Sequence, residues 1–161
     1  MQLSVMRVRP DALLPARATP GSAGYDVHAC LECPLLLAPG QTALVPTGIA
    51  MALAPGYAAL IYARSGLAVR HGIAPANCVG VIDSDYRGEV LVGLRNHSGA
   101  AFTIAPGDRI AQMVISRCET PELVLCEALE DTARGAGGFG STGGSAAPAS
   151  SKGEAPCPHE H

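Results

Sequence analysis

The stretch of sequence that is most informative about the fold lies near the middle of the chain. It is Gly80-Val81-Ile82-Asp83-Ser84-Asp85-Tyr86-Arg87-Gly88-Glu89. Apolar residues precede the stretch, and Val90, Val92 and Leu94 follow it at a single parity, which is typical of a half-buried strand. The polar residues between these two apolar segments favour a turn. We therefore predict a β-hairpin whose turn bears two carboxylates, a phenol and a guanidinium, more chemistry than a simple chain reversal needs.

The composition favours many short strands over helices. Apolar residues make up 48% of the 161 residues, there is no Trp, and 19 Gly and 13 Pro fall between short apolar runs. The predicted strands are 2–9, 35–37, 42–45, 49–53, 57–62, 102–104, 109–115 and a last strand or edge at 123–129. A short helix is expected at 67–71.

Charge and cysteine usage exclude several classes of protein. The net charge is −3 and no basic run occurs, so a nucleic-acid surface is not expected. Residues 39–63 are uncharged but interrupted by Pro and Gly, which argues against a membrane span. Residues 1–10 lack the apolar stretch of a secretory signal. Cys30 and Cys33 have metal-knuckle spacing but no second pair, so we expect reduced thiols in a cytoplasmic protein.

Five segments, in this order and spacing, resemble the signatures of the trimeric dUTP pyrophosphatase family. They are Ala23-Gly24-Tyr25-Asp26, Arg64-Ser65-Gly66-Leu67, the stretch Gly80–Glu89, Pro106-Gly107-Asp108-Arg109-Ile110-Ala111-Gln112 and the glycine-rich segment Arg134–Gly143. The resemblance implies an all-β jelly-roll barrel over residues 1–133, a C-terminal active-site arm at 134–143 and a disordered tail at 144–161. It also implies a homotrimer with shared active sites.

The implied reaction is hydrolysis of dUTP to dUMP and pyrophosphate, which limits uracil in DNA and supplies dUMP for thymidylate synthesis. By resemblance Asp83 orients and activates the attacking water, while Asp85 is the rival carboxylate in the same turn. Asn77, interpreted as lying on the strand before the turn, has an amide that can bind the edge of uracil. Tyr86 would exclude ribonucleotides. The remaining substrate-binding residues expected around the turn are Val81, Ile82 and Leu91.

Arginine, hydroxyl and carboxylate groups in the other motifs suit a triphosphate and a metal. Arg64, Ser65 and Gly66 offer a guanidinium fork, a hydroxyl and an unobstructed N–H to an anion, although a Ser-capped turn is an equal alternative. Asp26 either satisfies a turn or, by resemblance, holds Mg²⁺ through water. Gln112 is either a core amide or, by resemblance, a catalytic neighbour of the α-phosphate and its water.

The glycine-rich arm offers a further set of substrate ligands. Its phosphate- and base-binding candidates are Arg134, Phe139, Gly140, Ser141 and Thr142. Phe139 can stack on a base, and the hydroxyls and guanidinium can meet the terminal phosphates. A flexible linker is the alternative interpretation.

Two other functions remain compatible with these residues. One is a dCTP deaminase-like enzyme on the same fold, which needs an acid/base Glu in the pocket. The other is a catalytically silent nucleotide-sensing module. His71 is a possible general base, but packing or a subunit contact is the more common role of such a histidine.

Overall fold

The computed structural model of this protein describes residues 2–137 and confirms the all-β class. Within that range there are eleven strands and one helix, α1. The elements are β1 Ser4–Arg7, β2 Tyr25–His28, β3 Leu35–Leu37, β4 Thr42–Pro46, β5 Ile49–Ala52, β6 Tyr57–Tyr62, α1 Ser65–His71, β7 Ile73–Pro75, β8 Gly80–Ile82, β9 Leu91–Asn96, β10 Phe102–Ile104 and β11 Arg109–Arg117.

The strands pair in a nested order that defines a jelly roll. β2 pairs with β11, β3 with β10 and β4 with β9, so that the chain runs out and returns along itself. All strand pairs among the described residues are antiparallel. β6 lies between β11 and β8, β7 adds to β9, and β1 pairs with β5. The expected jelly-roll barrel is confirmed.

Aliphatic side chains from the strands fill one core, as the scarcity of aromatic residues requires. Val92 and Leu94 on β9 point inward, and the alternation that predicted a half-buried strand is confirmed. Asn96 at the end of β9 is fully buried yet satisfied. Its amide donates to the carbonyl oxygens of Leu37 (2.9 Å) and Ala100 (2.7 Å). A buried amide with its donors paired stabilises this corner instead of weakening it.

The predicted hairpin at residues 80–94 is wrong. β8 pairs with β6, whereas β9 pairs with β4 and β7, so the polar segment links two different sheets. Its length is explained by this crossing, because a hairpin turn would need only two to five residues. The position and parity of the flanking strands were predictable; their partners were not.

The last predicted strand is also absent. Residues 123–129 form no strand, and Leu123, Val124, Leu125 and Leu129 are between 79% and 99% exposed. The chain divides into two units at Pro121, a boundary that precedes the sequence-based end of the core at residue 133. No helix in the described part of the chain is long and apolar enough to cross a membrane.

Candidate active site

The segment from Asp83 to Val90, here called the Asp83 loop, presents its carboxylate to solvent beside an open cavity. The backbone N–H of Tyr86 donates to the carbonyl oxygen of Asp83 at 3.2 Å, which closes a tight turn. Arg87 donates to the carbonyl oxygens of Ser84 (2.7 Å) and Tyr86 (2.9 Å). The guanidinium of Arg87 therefore braces the loop from within, and Asp83 is left exposed.

Two adjoining cavities surround the end of β8. The first, of about 210 Å³, is lined by Val81, Ile82, Asp83, Tyr86, Glu89, Val90 and Leu91. The second, of about 130 Å³, is lined by Ile61, Pro75, Asn77, Gly80, Val81, Ile82, Leu91, Val92 and Gly93. Because both share Val81, Ile82 and Leu91, the structure brings together the carboxylate, phenol and amide that the sequence singled out on this side.

Asn77 reaches its cavity from a turn and not from a strand, so its predicted strand position is wrong. It follows β7 in the turn that leads to β8, and its own carbonyl accepts from the N–H of Val79 at 2.7 Å. Cys78 beside it has a φ of 63°, the one left-handed non-glycine among the described residues. A Cβ built on Gly80 would lie 3.6 Å from the side-chain nitrogen of Asn77. The Asn77 amide therefore lies beside the first residue of β8 at ordinary contact distance.

Tyr86 is held across the loop by its hydroxyl and by a glycine. The hydroxyl donates to the carbonyl oxygen of Glu89 at 2.9 Å, and the residue is 45% exposed. A Cβ on Gly88 would lie only 2.4 Å from that hydroxyl oxygen. Gly88 is thus required by the position of the phenol ring, a role that the turn-forming tendency of glycine did not reveal.

Glu89, for which no role was predicted, ties the loop to the N-terminal part of the chain. One carboxylate oxygen accepts from Arg9 Nε and from the N–H of Gly48, both at 2.8 Å; the other accepts from the second Arg9 nitrogen at 3.1 Å. Gly48 has a φ of 70°, and a Cβ there would meet Cys30 Sγ at 2.8 Å. Burial raises the pKa of Glu89, but the hydrogen bonds and charge of Arg9 together with the Gly48 N–H lower its pKa overall.

On the opposite end of the sheet, a nearly buried carboxylate lies between two arginines. Asp26 on β2 is 8% exposed. Its Oδ1 accepts from Arg64 Nε at 2.9 Å, and its Oδ2 accepts from an Arg109 nitrogen at 3.3 Å. We call Asp26, Arg64 and Arg109 the Arg64 group. Arg64 contacts Asp26 through Nε. Its two outer guanidinium nitrogens make no hydrogen bond among the described residues, so they can face an anion.

Three other residues predicted to meet the phosphates lie beside the Arg64 group. Ser65 and Gly66 are exposed in the first turn of α1, where their N–H groups have no helical partner. The alternative of a Ser-capped turn is wrong, because the N-cap is Arg64 and no side chain caps the helix. Gln112 on β11 is half-buried and pairs in register with both Asp26 and Tyr62, which places it beside this group.

His71 packs against an aromatic ring, in agreement with the packing role predicted for it. Its ring centroid lies 5.1 Å from that of Phe102. Arg64 and Arg109 lie on a further cavity of about 210 Å³ with these two rings. His28, two residues after Asp26, has a buried Nδ1 with no partner, and burial lowers its pKa. A neutral histidine is thereby favoured near the two arginines.

The two groups lie at opposite ends of β6. Ala59 pairs with Ile82, so the antiparallel register places Asp83 opposite Ala58 near the start of β6, whereas Arg64 lies two residues beyond the end of β6. At about 3.3 Å per residue, the Cα atoms of Asp83 and Arg64 are about 20 Å apart. The two groups are therefore well separated along one chain.

The carboxylates fit a metal only through water and substrate oxygens. Among residues 2–137 no group of three or more His, Cys, Asp or Glu side chains could hold an ion. Asp26 already accepts from two guanidinium groups but retains lone pairs for a water. Mg²⁺ keeps several waters and takes few carboxylates, so this donor set is compatible with Mg²⁺ bound mainly by phosphates.

The arm is described only at its start. Arg134 Nε donates to the carbonyl oxygen of Gly137 at 2.9 Å, which closes a local turn in the second unit. The other predicted arm ligands, Phe139, Gly140, Ser141 and Thr142, lie outside the described residues.

Similarity to known proteins agrees with the fold and the ordered motifs. Residues 11–143 match the dUTPase family model. A deoxyuridine 5'-triphosphate nucleotidohydrolase from Thiobacillus denitrificans is 51% identical over 144 residues, which cover 89% of this chain and 99% of the relative. One from Hahella chejuensis is 54% identical over 138 residues, or 85% and 91% of the two chains.

Solved structures show the same architecture. A Staphylococcus bacteriophage 80alpha dUTPase variant with dUpNHpp has a TM-score of 0.81 and 27% identity over 88% of this chain and 98% of that chain. A phage phi11 dUTPase variant, described for its coordination of a structural Mg(II) ion, has a TM-score of 0.74 and 25% identity over 81% and 100%. With a family match and half-identical relatives spanning most of its length, this chain belongs to the dUTPase family.

Proposed function

We propose that this protein hydrolyses dUTP to dUMP and pyrophosphate at a site that contains the Asp83 loop and the Arg64 group. The observation that supports this most directly is the exposed carboxylate of Asp83 on a cavity that adjoins the Asn77 cavity. An amide with donors and an acceptor suits the edge of uracil, and the phenol of Tyr86 suits the sugar between base and phosphates.

In the proposed reaction, Asp83 accepts a proton from water as the water oxygen attacks the α-phosphorus. The bond from that phosphorus to the bridging oxygen breaks, and pyrophosphate leaves with the electron pair. Arg64, with the N–H groups of Ser65 and Gly66, meets the charge that moves onto the leaving group. Gln112 can donate to an α-phosphate oxygen and hold the water. A positioned base of this kind contributes about 10²–10⁴-fold.

Mg²⁺ is the proposed cofactor, with Asp26 as the residue that would hold it through water. When bound, the ion would neutralise phosphate charge. Removal with EDTA should suppress hydrolysis and added Mg²⁺ should restore it. Full activity in EDTA together with stoichiometric Zn²⁺ would contradict this assignment.

A homotrimer with shared sites is proposed from the distance between the two groups. Since the register places the Cα atoms of Asp83 and Arg64 about 20 Å apart along β6, one phosphate chain is met more readily by Asp83 of one chain and Arg64 of another. The exposed apolar segment at residues 123–129 gives an independent reason for assembly, because three leucines and a valine exposed within seven residues need a cover. Arg134 and the following Phe139, Gly140, Ser141 and Thr142 are proposed to close over the nucleotide.

The free cysteines agree with the proposed cytoplasmic location. Cys30, Cys33, Cys78, Cys118 and Cys126 form no disulfide in the described part of the chain. Reducing compartments keep thiols in this form.

The activity is tested by incubating the protein with dUTP, dCTP, dTTP, dATP and UTP plus Mg²⁺ and identifying the products. We expect dUMP and pyrophosphate from dUTP alone at a substantial rate. Release of ammonia from dCTP would favour a deaminase, and binding of dUTP without any product would favour a nucleotide sensor.

The shared site is tested by mixing two inactive variants, Asp83→Asn and Arg64→Gln, under conditions that exchange subunits. In mixed assemblies some sites combine Asp83 of one chain with Arg64 of another, so activity should return. If mass spectrometry confirms exchange and no activity returns, the inter-subunit site is wrong. Truncation after Ala133 should leave the assembly intact but nearly inactive if the arm closes the site.

A further inference from the structure

We propose that the Arg9–Glu89 ion pair is a positioning device that fixes the Tyr86 ring and thereby contributes to discrimination between deoxyribose and ribose. This inference rests on the proposed function, in which Tyr86 faces the sugar. Neither Arg9 nor Glu89 contacts the reacting atoms in that proposal. Their role would be exerted through the Asp83 loop.

The contact between Arg9 and Glu89 is a two-point one. Arg9 Nε and Nη2 donate to the Glu89 carboxylate at 2.8 Å and 3.1 Å, and the Gly48 N–H is a third donor at 2.8 Å. Two parallel bonds from a guanidinium fix the orientation of a carboxylate as well as its distance. The Glu89 side chain is only 20% exposed, so its orientation is further limited by its surroundings.

The backbone carbonyl of Glu89 accepts a hydrogen bond from the Tyr86 hydroxyl. Tyr86 donates to the Glu89 carbonyl oxygen at 2.9 Å, so the acceptor that orients the ring belongs to the residue whose side chain is held by Arg9. Glu89 and Tyr86 also line the same cavity as Asp83. The Glu89 carbonyl shares its peptide group with the Val90 N–H, so the Arg9–Glu89 pair acts on this acceptor only from the Cα side of Glu89.

The peptide group between Glu89 and Val90 is also held from the β5 side, which confines the effect of the Arg9–Glu89 pair to the Glu89 Cα and the residues before it. The Val90 carbonyl accepts from the Thr47 hydroxyl at 2.6 Å, and the Val90 N–H donates to Ile49 at 2.8 Å. Loss of the Arg9–Glu89 pair should therefore leave β9 and the core in place. The part of the loop that it frees is the segment from Tyr86 to Glu89.

The experiment compares Glu89→Gln and Arg9→Gln with Arg9→Lys as a conservative variant. Gln at position 89 keeps an oxygen for the Gly48 N–H but lacks the charge that Arg9 requires. Each protein is labelled with 3-fluorotyrosine, and the ¹⁹F resonance of Tyr86 is assigned by its loss in Tyr86→Phe. The ratio of kcat/KM for dUTP to that for UTP is measured in parallel.

We expect the Tyr86 resonance to shift or broaden in both Gln variants while the other tyrosines are unchanged. The dUTP/UTP ratio should fall about three- to tenfold, in the range of one ordinary hydrogen bond, because the pair acts on the ring only indirectly. Arg9→Lys should recover part of the ratio, and the double Gln variant should be no worse than either single one. Arg7→Gln is the matched control, since Arg7 is exposed and makes no ion pair among residues 2–137.

A folded Glu89→Gln or Arg9→Gln protein with an unchanged Tyr86 resonance and an unchanged ratio would overturn the proposal. If one variant does not fold, the other decides. If the unmutated protein does not hydrolyse dUTP, the proposed function fails, and the ¹⁹F resonance still shows whether the pair positions Tyr86.

Discussion

The Asp83 loop and the Arg64 group place charged groups by opposite means. Asp26 and Arg109 lie on paired strands and Arg64 directly after one, and the carboxylate between them is nearly buried. The Asp83 loop has no strand partner of its own and depends on side-chain tethers from distant residues. The first arrangement is rigid because of the sheet, and the second because of specific hydrogen bonds.

This difference suggests a division of labour between the two ends of β6. A rigid ion pair can hold a guanidinium toward phosphates whose positions change little during reaction. In the proposed reaction, a tethered loop would orient the base and the sugar-facing ring without extending a strand into the site. Substitutions at the two ends should therefore differ in whether they affect chemistry, phosphate affinity or sugar selectivity.

The largest effect is expected at the Asp83 carboxylate. Asp83→Asn should lower dUTP hydrolysis about 10²–10⁴-fold while nucleotide affinity is retained, because only the proton acceptor is lost. Turnover and equilibrium binding of dUTP measure the two separately. Asp85→Asn is the matched control in the same loop. A normal rate in Asp83→Asn would transfer the role of base to Asp85.

A smaller effect is expected at the rigid end. Arg64→Lys keeps the charge but loses the planar guanidinium that can donate to Asp26 and to a phosphate at the same time. The value of kcat/KM should fall about 10- to 100-fold, as for lost hydrogen bonds to a charged group. Arg109→Lys should cost less, since Arg109 is 53% exposed and 3.3 Å from Asp26. Steady-state kinetics on both variants would show the order; a reversed order would assign phosphate binding to Arg109.

The same contrast explains which features could be predicted from sequence. The limits of β6 and β10 were predicted as found, since apolar alternation and flanking turn residues are local signals. The pairing of β8 with β6 was not, because register across sheets depends on long-range packing. The Arg9–Glu89 pair spans 80 residues, and nothing local marks it.

Two further predictions, the strand position of Asn77 and the strand at 123–129, were wrong for physical reasons. The turn at Asn77 depends on the left-handed Cys78, and no glycine signals it. The segment at 123–129 has a strand-like apolar pattern, but no partner strand among the described residues pairs with it. The positions of the strands were therefore more predictable than their pairing.

A third prediction concerns sugar selectivity at the Asp83 loop. In Gly88→Ala the new methyl would lie 2.4 Å from the Tyr86 hydroxyl oxygen, so the ring must swing away. The dUTP/UTP ratio of kcat/KM should fall toward that of Tyr86→Ala, and the free energy of unfolding should drop by about 1 kcal/mol, the low end for overpacking. Gly99→Ala is the control, because no atom lies within 4 Å of its Cβ. If the dUTP/UTP ratio is unchanged in Gly88→Ala, the proposed role of Tyr86 in sugar recognition is wrong.

The smallest effect is the pH dependence of the Glu89 tether. The pKa of Glu89 is lowered below its ordinary 4.5 in the folded protein, so the unfolded chain binds its proton first as the pH falls. The stability that this carboxylate adds is thus fully present above pH 4.5 and is lost as the pH falls through the folded-state pKa. The amount is small because Arg9 is exposed and solvent screens the pair.

Urea unfolding of the unmutated protein and Glu89→Gln from pH 7 to pH 3 measures this contribution. The unmutated protein should be the more stable at neutral pH, and the difference should shrink below pH 4.5, where protonation makes Glu89 resemble the amide. His28, whose lowered pKa makes both proteins lose stability below pH 6.5, cancels in the comparison. A difference that stays constant down to pH 3 would show that packing of Glu89, and not its charge, holds the loop.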